Sequence, residues 1–97
     1  MVKNIQVLSN PIVSQTEGNI VSSMGNEKVM LSVENGKYYN LGEVGGLIWD
    51  LIESPVTFEK VVRELRSQYE VSQSECEEQV NQFLQMLLEE GLIKVHG

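Results

Sequence analysis

The hydrophobic pattern of this chain changes period at Gly42, and that change decides most of what it can fold into. Before it, Val29, Leu31 and Val33 alternate with Met30, Ser32 and Glu34, the period of two of a strand with one buried face. Asn35-Gly36 follows, and both residues tolerate the positive φ of a type I′ hairpin turn, so Lys37 to Leu41 reads as the returning strand. Ile20 to Ser23, closed by Met24-Gly25-Asn26, supplies a further strand. The expectation is a three-stranded antiparallel β-meander whose two outer strands each carry unpaired backbone groups along one side.

After Gly42 the spacing becomes helical. Val44, Leu47, Ile48, Leu51 and Ile52 share one face, with Trp49 beside them, and Ser54-Pro55 ends that helix because the residue before a proline avoids the α region. Thr57 reads as the N-cap of a second helix carrying Phe58, Val61, Val62, Leu65 and Tyr69. Ser72 or Ser74 caps a third, with Cys76, Val80, Phe83, Leu84, Leu87 and Leu88 on a stripe wide enough to face the core and something else. Gly91 stops it, and Leu92 to Val95 reads as a brief last strand. The fold class is α+β: a meander, then three α-helices, resembling a winged helix-turn-helix with its wing at the N-terminal end.

With 97 residues, 41% of them hydrophobic, the chain has material for one core. Residues 18–97 are expected to form that domain and the less patterned residues 1–17 a loosely held arm. The first residues show no basic segment leading into a long apolar run, which predicts neither a signal peptide nor a membrane span and a cytoplasmic address. A formal net charge of -7 disfavours nucleic acid, whose phosphates need clustered Lys and Arg, and suits a neutral or basic partner.

Groups able to do chemistry are few. His96, the single histidine, stands next to the last residue, where a general base would lack a positioned partner. Cys76, the single cysteine, lies on an apolar stripe with no basic neighbour in sequence to activate it. Glu75, Glu77, Glu78, Glu89 and Glu90 read as a solvated face, since no calcium-type loop accompanies them. Gly42, Gly45 and Gly46 match no nucleotide-binding fingerprint and instead suit a tight strand-to-helix joint and close helix packing. Trp49 is expected to anchor the core. Neither a catalytic residue nor a metal or cofactor is expected. In the pair Tyr38-Tyr39, adjacent side chains on a strand point to opposite faces, so one enters the core and the other stays outside or lines a groove.

The run from Val29 to Leu51, with its Gly45-Gly46-Leu47-Ile48-Trp49 helix, is followed by Thr57, Val61, Val62, Leu65 and Tyr69. Val80, Phe83, Leu84 and Leu87 come next, and then Gly91-Leu92. This ordered set resembles the PqqD-like family over residues 18–95, and Glu17 to Ser22 is similar to the free-standing recognition proteins of lasso-peptide biosynthesis. The resemblance implies a RiPP recognition element: a non-catalytic protein that binds the leader of a ribosomally made precursor and delivers it to maturation enzymes. Its implied partners are a separate, cysteine-protease-like leader peptidase and a macrolactam synthetase. It further implies that the leader adds to the third meander strand and lies against the third helix. Lys37, Tyr38, Tyr39, Asn40 and Leu41 would then supply the backbone ladder, and Cys76, Gln79, Val80 and Phe83 the opposite wall. The residues alone do not choose between the two sheet edges.

Two other readings compete. A dimerisation module or structural subunit of a biosynthetic enzyme would use the same exposed edge. A DNA-binding winged helix would need a basic third helix, whereas this one carries glutamates and no Lys or Arg.

Overall fold

The computed structural model describes residues 10–96. In chain order the elements are β1 (Ile12–Gln15), β2 (Asn19–Met24), β3 (Glu27–Ser32), β4 (Lys37–Leu41), α1 (Gly42–Leu51), β5 (Val56–Thr57), α2 (Phe58–Gln68), α3 (Gln73–Glu89) and β6 (Ile93–His96). They form two small antiparallel sheets, β2-β3-β4 and β5-β1-β6, around one helical core. The first is the expected meander, and α2 with α3 supplies the helix-turn-helix.

The meander differs from the sequence expectation in two respects. Rows of direct partners run across its three strands: Val21, Met30 and Tyr39 in one, Ile20, Leu31 and Tyr38 in the next. Met30 and Ser32 are fully buried, whereas Val33 is exposed, so the core face is that of Met30 and not that of Leu31. The cause is α1, whose Gly46 takes the Lys28 stem, and Lys28 shares a face with Met30. The second difference is the β3–β4 connection. It is a four-residue loop, 33–36, rather than a two-residue type I′ turn, since Gly36 has φ 65° but Asn35 is not left-handed. Asn35 instead takes part in local and distant hydrogen bonds: its N–H donates to the buried Ser32 Oγ, and its Nδ2 donates to the Glu90 carbonyl at 2.8 Å.

The helix caps follow the sequence. Thr57 Oγ1 accepts from the Lys60 N–H and Ser72 Oγ from the Glu75 N–H, which settles the third helix's cap on Ser72. No side chain of the N-cap residue Leu41 caps α1; instead Asn40 Oδ1 accepts from the Gly42 N–H, with Gly42 at φ 73°. The helices bury Ile48, Trp49, Ile52, Phe58, Val61, Leu65, Val80, Leu84 and Leu87 together.

Of the arm expected over residues 1–17, residues 1–9 lie outside the described part. Ile12–Gln15 is the central strand of the second sheet, held by Val56–Thr57 on one side and Ile93–His96 on the other. Val13 is fully buried there, and Gln15 Nε2 donates to the Trp49 carbonyl, fastening the strand to α1.

Candidate functional site

β4 is the last strand of its sheet among the described residues, so alternate residues of Lys37–Leu41 turn N–H and C=O groups away from β3. Its side chains divide as a strand requires. Tyr39 and Leu41 face inward, half-buried and buried, while Tyr38 and Asn40 face outward, Tyr38 being 72% exposed.

α3 runs beside this edge in the opposite direction, as two contacts show. Near the end of β4, a Cβ on Gly45 would stand 2.8 Å from Phe83 Cε1 and 3.4 Å from Leu41 Cβ. At its start, Tyr39 donates its hydroxyl hydrogen to Glu90 Oε1 at 2.6 Å, and Lys37 Nζ lies 3.2 Å from the same oxygen. From Phe83 to Glu90 a helix rises about 10 Å, and from Leu41 back to Lys37 a strand spans about 13 Å. Strand and helix therefore accompany each other over the length of β4.

Two stripes share α3. Cys76, Val80, Leu84 and Leu87 are buried and belong to the core. Gln79, Phe83, Met86 and Glu90, at helical intervals of four, three and four, form a neighbouring stripe that is half-buried or exposed. Between this second stripe and α1 opens a recess of ≈ 420 Å³, with Val44, Gly45, Ile48, Leu65 and Val80 lining it beside Phe83 and Met86, and Gln79 and Gln82 at its polar margin. With no Cβ at position 45, the edge of the Phe83 ring comes close against α1.

Electrostatics tune its borders. The hydrogen bond from Tyr39, then the bond and charge of Lys37, hold the Glu90 carboxyl below the usual carboxylate range. Beside the start of α1, Tyr69 donates its hydroxyl to Glu43 Oε2 at 3.0 Å, which pushes the Tyr69 phenol up. A second recess, of ≈ 350 Å³, lies elsewhere against α2 and α3. Its Arg63 is paired with Glu59, and its Arg66 bonds the Val71 carbonyl and Gln73.

The residues singled out from the sequence fall into three groups. Lys37, Tyr38, Tyr39, Asn40 and Leu41 lie along the open edge, with the Asn40 side chain engaged at the strand-to-helix joint and Leu41 in the core. Gln79 and Phe83 stand on the facing stripe, and Val80 is floor rather than wall. Cys76 is buried, its thiol 3.7 Å from the Val62 carbonyl and directed at α2, so it does not reach the groove. Burial pushes that thiol up. Val44, Gly45, Gln82 and Met86 line the recess without having been expected at the site; the spacing Gln79-Phe83-Met86-Glu90 was the signal that could have found Met86. His96 bonds the Ser14 hydroxyl across β1 and β6 at 2.8 Å, in the second sheet. No group of three His, Cys, Asp or Glu able to hold a metal occurs among the described residues, and no helix there is long and apolar enough to cross a membrane.

Residues 27–93 match the family model of coenzyme PQQ synthesis protein D (PqqD). No curated protein matches the chain in sequence. Among solved structures, TbiB1 in complex with the TbiA(beta) leader peptide is similar with a TM-score of 0.78 at 25% identity, over 87% of this chain and 98% of that one. Lasso peptide synthetase B1 complexed with the leader peptide follows at 0.74 and 22%, over 84% and 96%. The PqqD truncation of Methylobacterium extorquens PqqCD, a stand-alone RiPP recognition element, reaches 0.71 and 15%, over 86% and 88%. The last two share the fold.

Proposed function

This chain belongs to the PqqD family, and on that premise we propose that it is a non-catalytic protein that binds the leader of a ribosomally synthesised precursor, a lasso peptide precursor, by strand addition to β4. The observation that carries the reading is the antiparallel run of α3 beside a strand edge that is unpaired among the described residues. An extended peptide laid on Lys37–Leu41 gains main-chain hydrogen bonds on one side, and its alternate side chains meet Phe83, Met86 and the recess on the other.

Magnitudes assign the roles. A backbone hydrogen bond contributes about 0.5–1.5 kcal/mol net, whereas burying apolar surface contributes about 25 cal/mol per Å². The ladder therefore fixes register and the recess supplies much of the affinity. The two leader-peptide complexes among the similar structures support this occupant. The acidic α3, with Glu75, Glu77, Glu78 and Glu89 and no Lys or Arg, opposes nucleic acid in the same place. Delivery of the bound leader to a cysteine-protease-like peptidase and a macrolactam synthetase, in the cytoplasm, completes the proposal.

The test is fluorescence anisotropy with a labelled leader peptide from the precursor encoded beside this protein. Saturable binding at micromolar concentration, weakened by Phe83→Ala and unaffected by a scrambled peptide, is the expected result. Absence of binding by the authentic leader overturns the proposal. Concentration-dependent self-association that the leader fails to dissolve favours the dimerisation module instead.

A further inference from the structure

The face of the meander opposite Met30 carries one apolar cross-strand row where a one-sided sheet would be polar. Ile20, Leu31 and Tyr38 stand in direct register across β2, β3 and β4. Ile20 is 56% exposed and Tyr38 72%, with Leu31 half-buried between them, whereas Val29 on the same face is buried. The row stops at Tyr38 because β4 is the last strand among the described residues, so the next position in it would belong to whatever pairs with β4.

We propose that the bound leader is read from both faces of its strand, and that Tyr38 selects a β-branched or aromatic leader residue on the face turned away from α3. The inference rests on strand addition at β4. Alternation places every second leader residue with Tyr39, toward Phe83 and Met86, and the residues between them with Tyr38. One of these sits directly opposite Tyr38 and lengthens the Ile20-Leu31-Tyr38 row by one. Its chemistry follows from its neighbours. Leu31, Val29 and Ile20 carry no charge, and the Asn40 amide oxygen accepts from the Gly42 N–H, so no ionic partner stands in the row. Aromatic and β-branched cross-strand pairs are the favoured combinations there, with an effect of about 1.5- to 5-fold in affinity per pair.

Spacing separates this inference from a reading by the groove alone: leader positions dependent on Tyr38 and those dependent on the groove lie an odd number of residues apart. The experiment displays a random twelve-residue peptide library and selects it on the full chain, on Tyr38→Glu, on Phe83→Ala and on Met86→Lys. Tyr38 and Met86 are both exposed, so these two variants keep the fold even if Phe83→Ala does not. The expected result is two sets of preferred positions at odd separation. The set opposite Tyr38 changes from aromatic or β-branched to Lys or Arg on Tyr38→Glu, while the groove set persists. Identical profiles on the wild type and Tyr38→Glu, or an even separation, overturn the two-faced reading and leave strand addition standing. A library that enriches nothing, or only peptides indifferent to Met86→Lys, overturns strand addition and this inference with it.

Discussion

Tyr39 and Glu90, fifty-one residues apart in sequence, share a 2.6 Å hydrogen bond that joins the open strand to the residue capping the end of α3. Lys37 and Asn35 bond the same glutamate through its carboxylate and its carbonyl, so the β3–β4 hairpin is fastened to the helix at three points.

Glu90 gives that fastening a pH dependence. Its carboxyl titrates lower in the folded chain than in the unfolded one, so its contribution is fully present above the ordinary carboxylate range. It is lost as pH falls through the depressed folded value. Urea unfolding of wild type and Glu90→Gln should therefore differ at neutral pH and converge in acid. A constant difference across the range would show that the charge of Glu90 contributes nothing.

Gly45→Ala should separate stability from binding. Alanine gains about 1 kcal/mol of helix propensity over glycine, but its Cβ meets the Phe83 ring edge at 2.8 Å. The ring, being the far end of a side chain, can turn, and the space available to it is the recess. Thermal melting should shift by only a few degrees, while leader affinity falls about tenfold or more, for about 1.4 kcal/mol of lost apolar contact.

The two stripes of α3 should respond oppositely to truncation. Leu84 is fully buried, and Leu84→Ala should cost about 2–5 kcal/mol of unfolding free energy. Met86 is 37% exposed, and Met86→Ala should cost well under about 1.5 kcal/mol of stability while weakening the leader complex. Denaturant titrations paired with anisotropy measure both quantities on the same samples.

Cys76 should be chemically silent in the folded protein. It is 2% exposed and desolvation keeps its thiol protonated at neutral pH, so a disulfide reagent should react only at the rate of unfolding and at once in urea. Immediate labelling of the native chain would contradict this placement.

The helices were legible because each carries its period and its cap within a few residues, as Thr57 and Ser72 do. Of the second sheet only its last strand, read over Leu92 to Val95, was. Ile12–Gln15 is a strand through its partnership with Ile93–His96 some eighty residues away, and two-residue β5 is too short to show a period. β3 is apolar on both faces, so alternation located the strand but could not say that Met30 rather than Leu31 looks inward. Asn35-Gly36 announced a hairpin correctly, yet its loop has four residues, and the Asn35 side chain bonds the Glu90 carbonyl far along the chain. On α3 one continuous hydrophobic stripe hid two functions. Cys76 and Phe83 lie seven residues apart on nearly the same helical side, and it is their neighbours, α2 for the first and α1 for the second, that assign one to the interior and the other to the groove.

The second sheet pairs Ile12 directly with His96. Partners in such a ladder have Cα atoms about 4.5–5.5 Å apart, so in a chain cut back to residues 12–96 a linker of a few residues could close a ring. Opening that ring at Gly25-Asn26, a tight two-residue turn, would give a circular permutant with new termini on the meander, leaving both walls of the groove uncut.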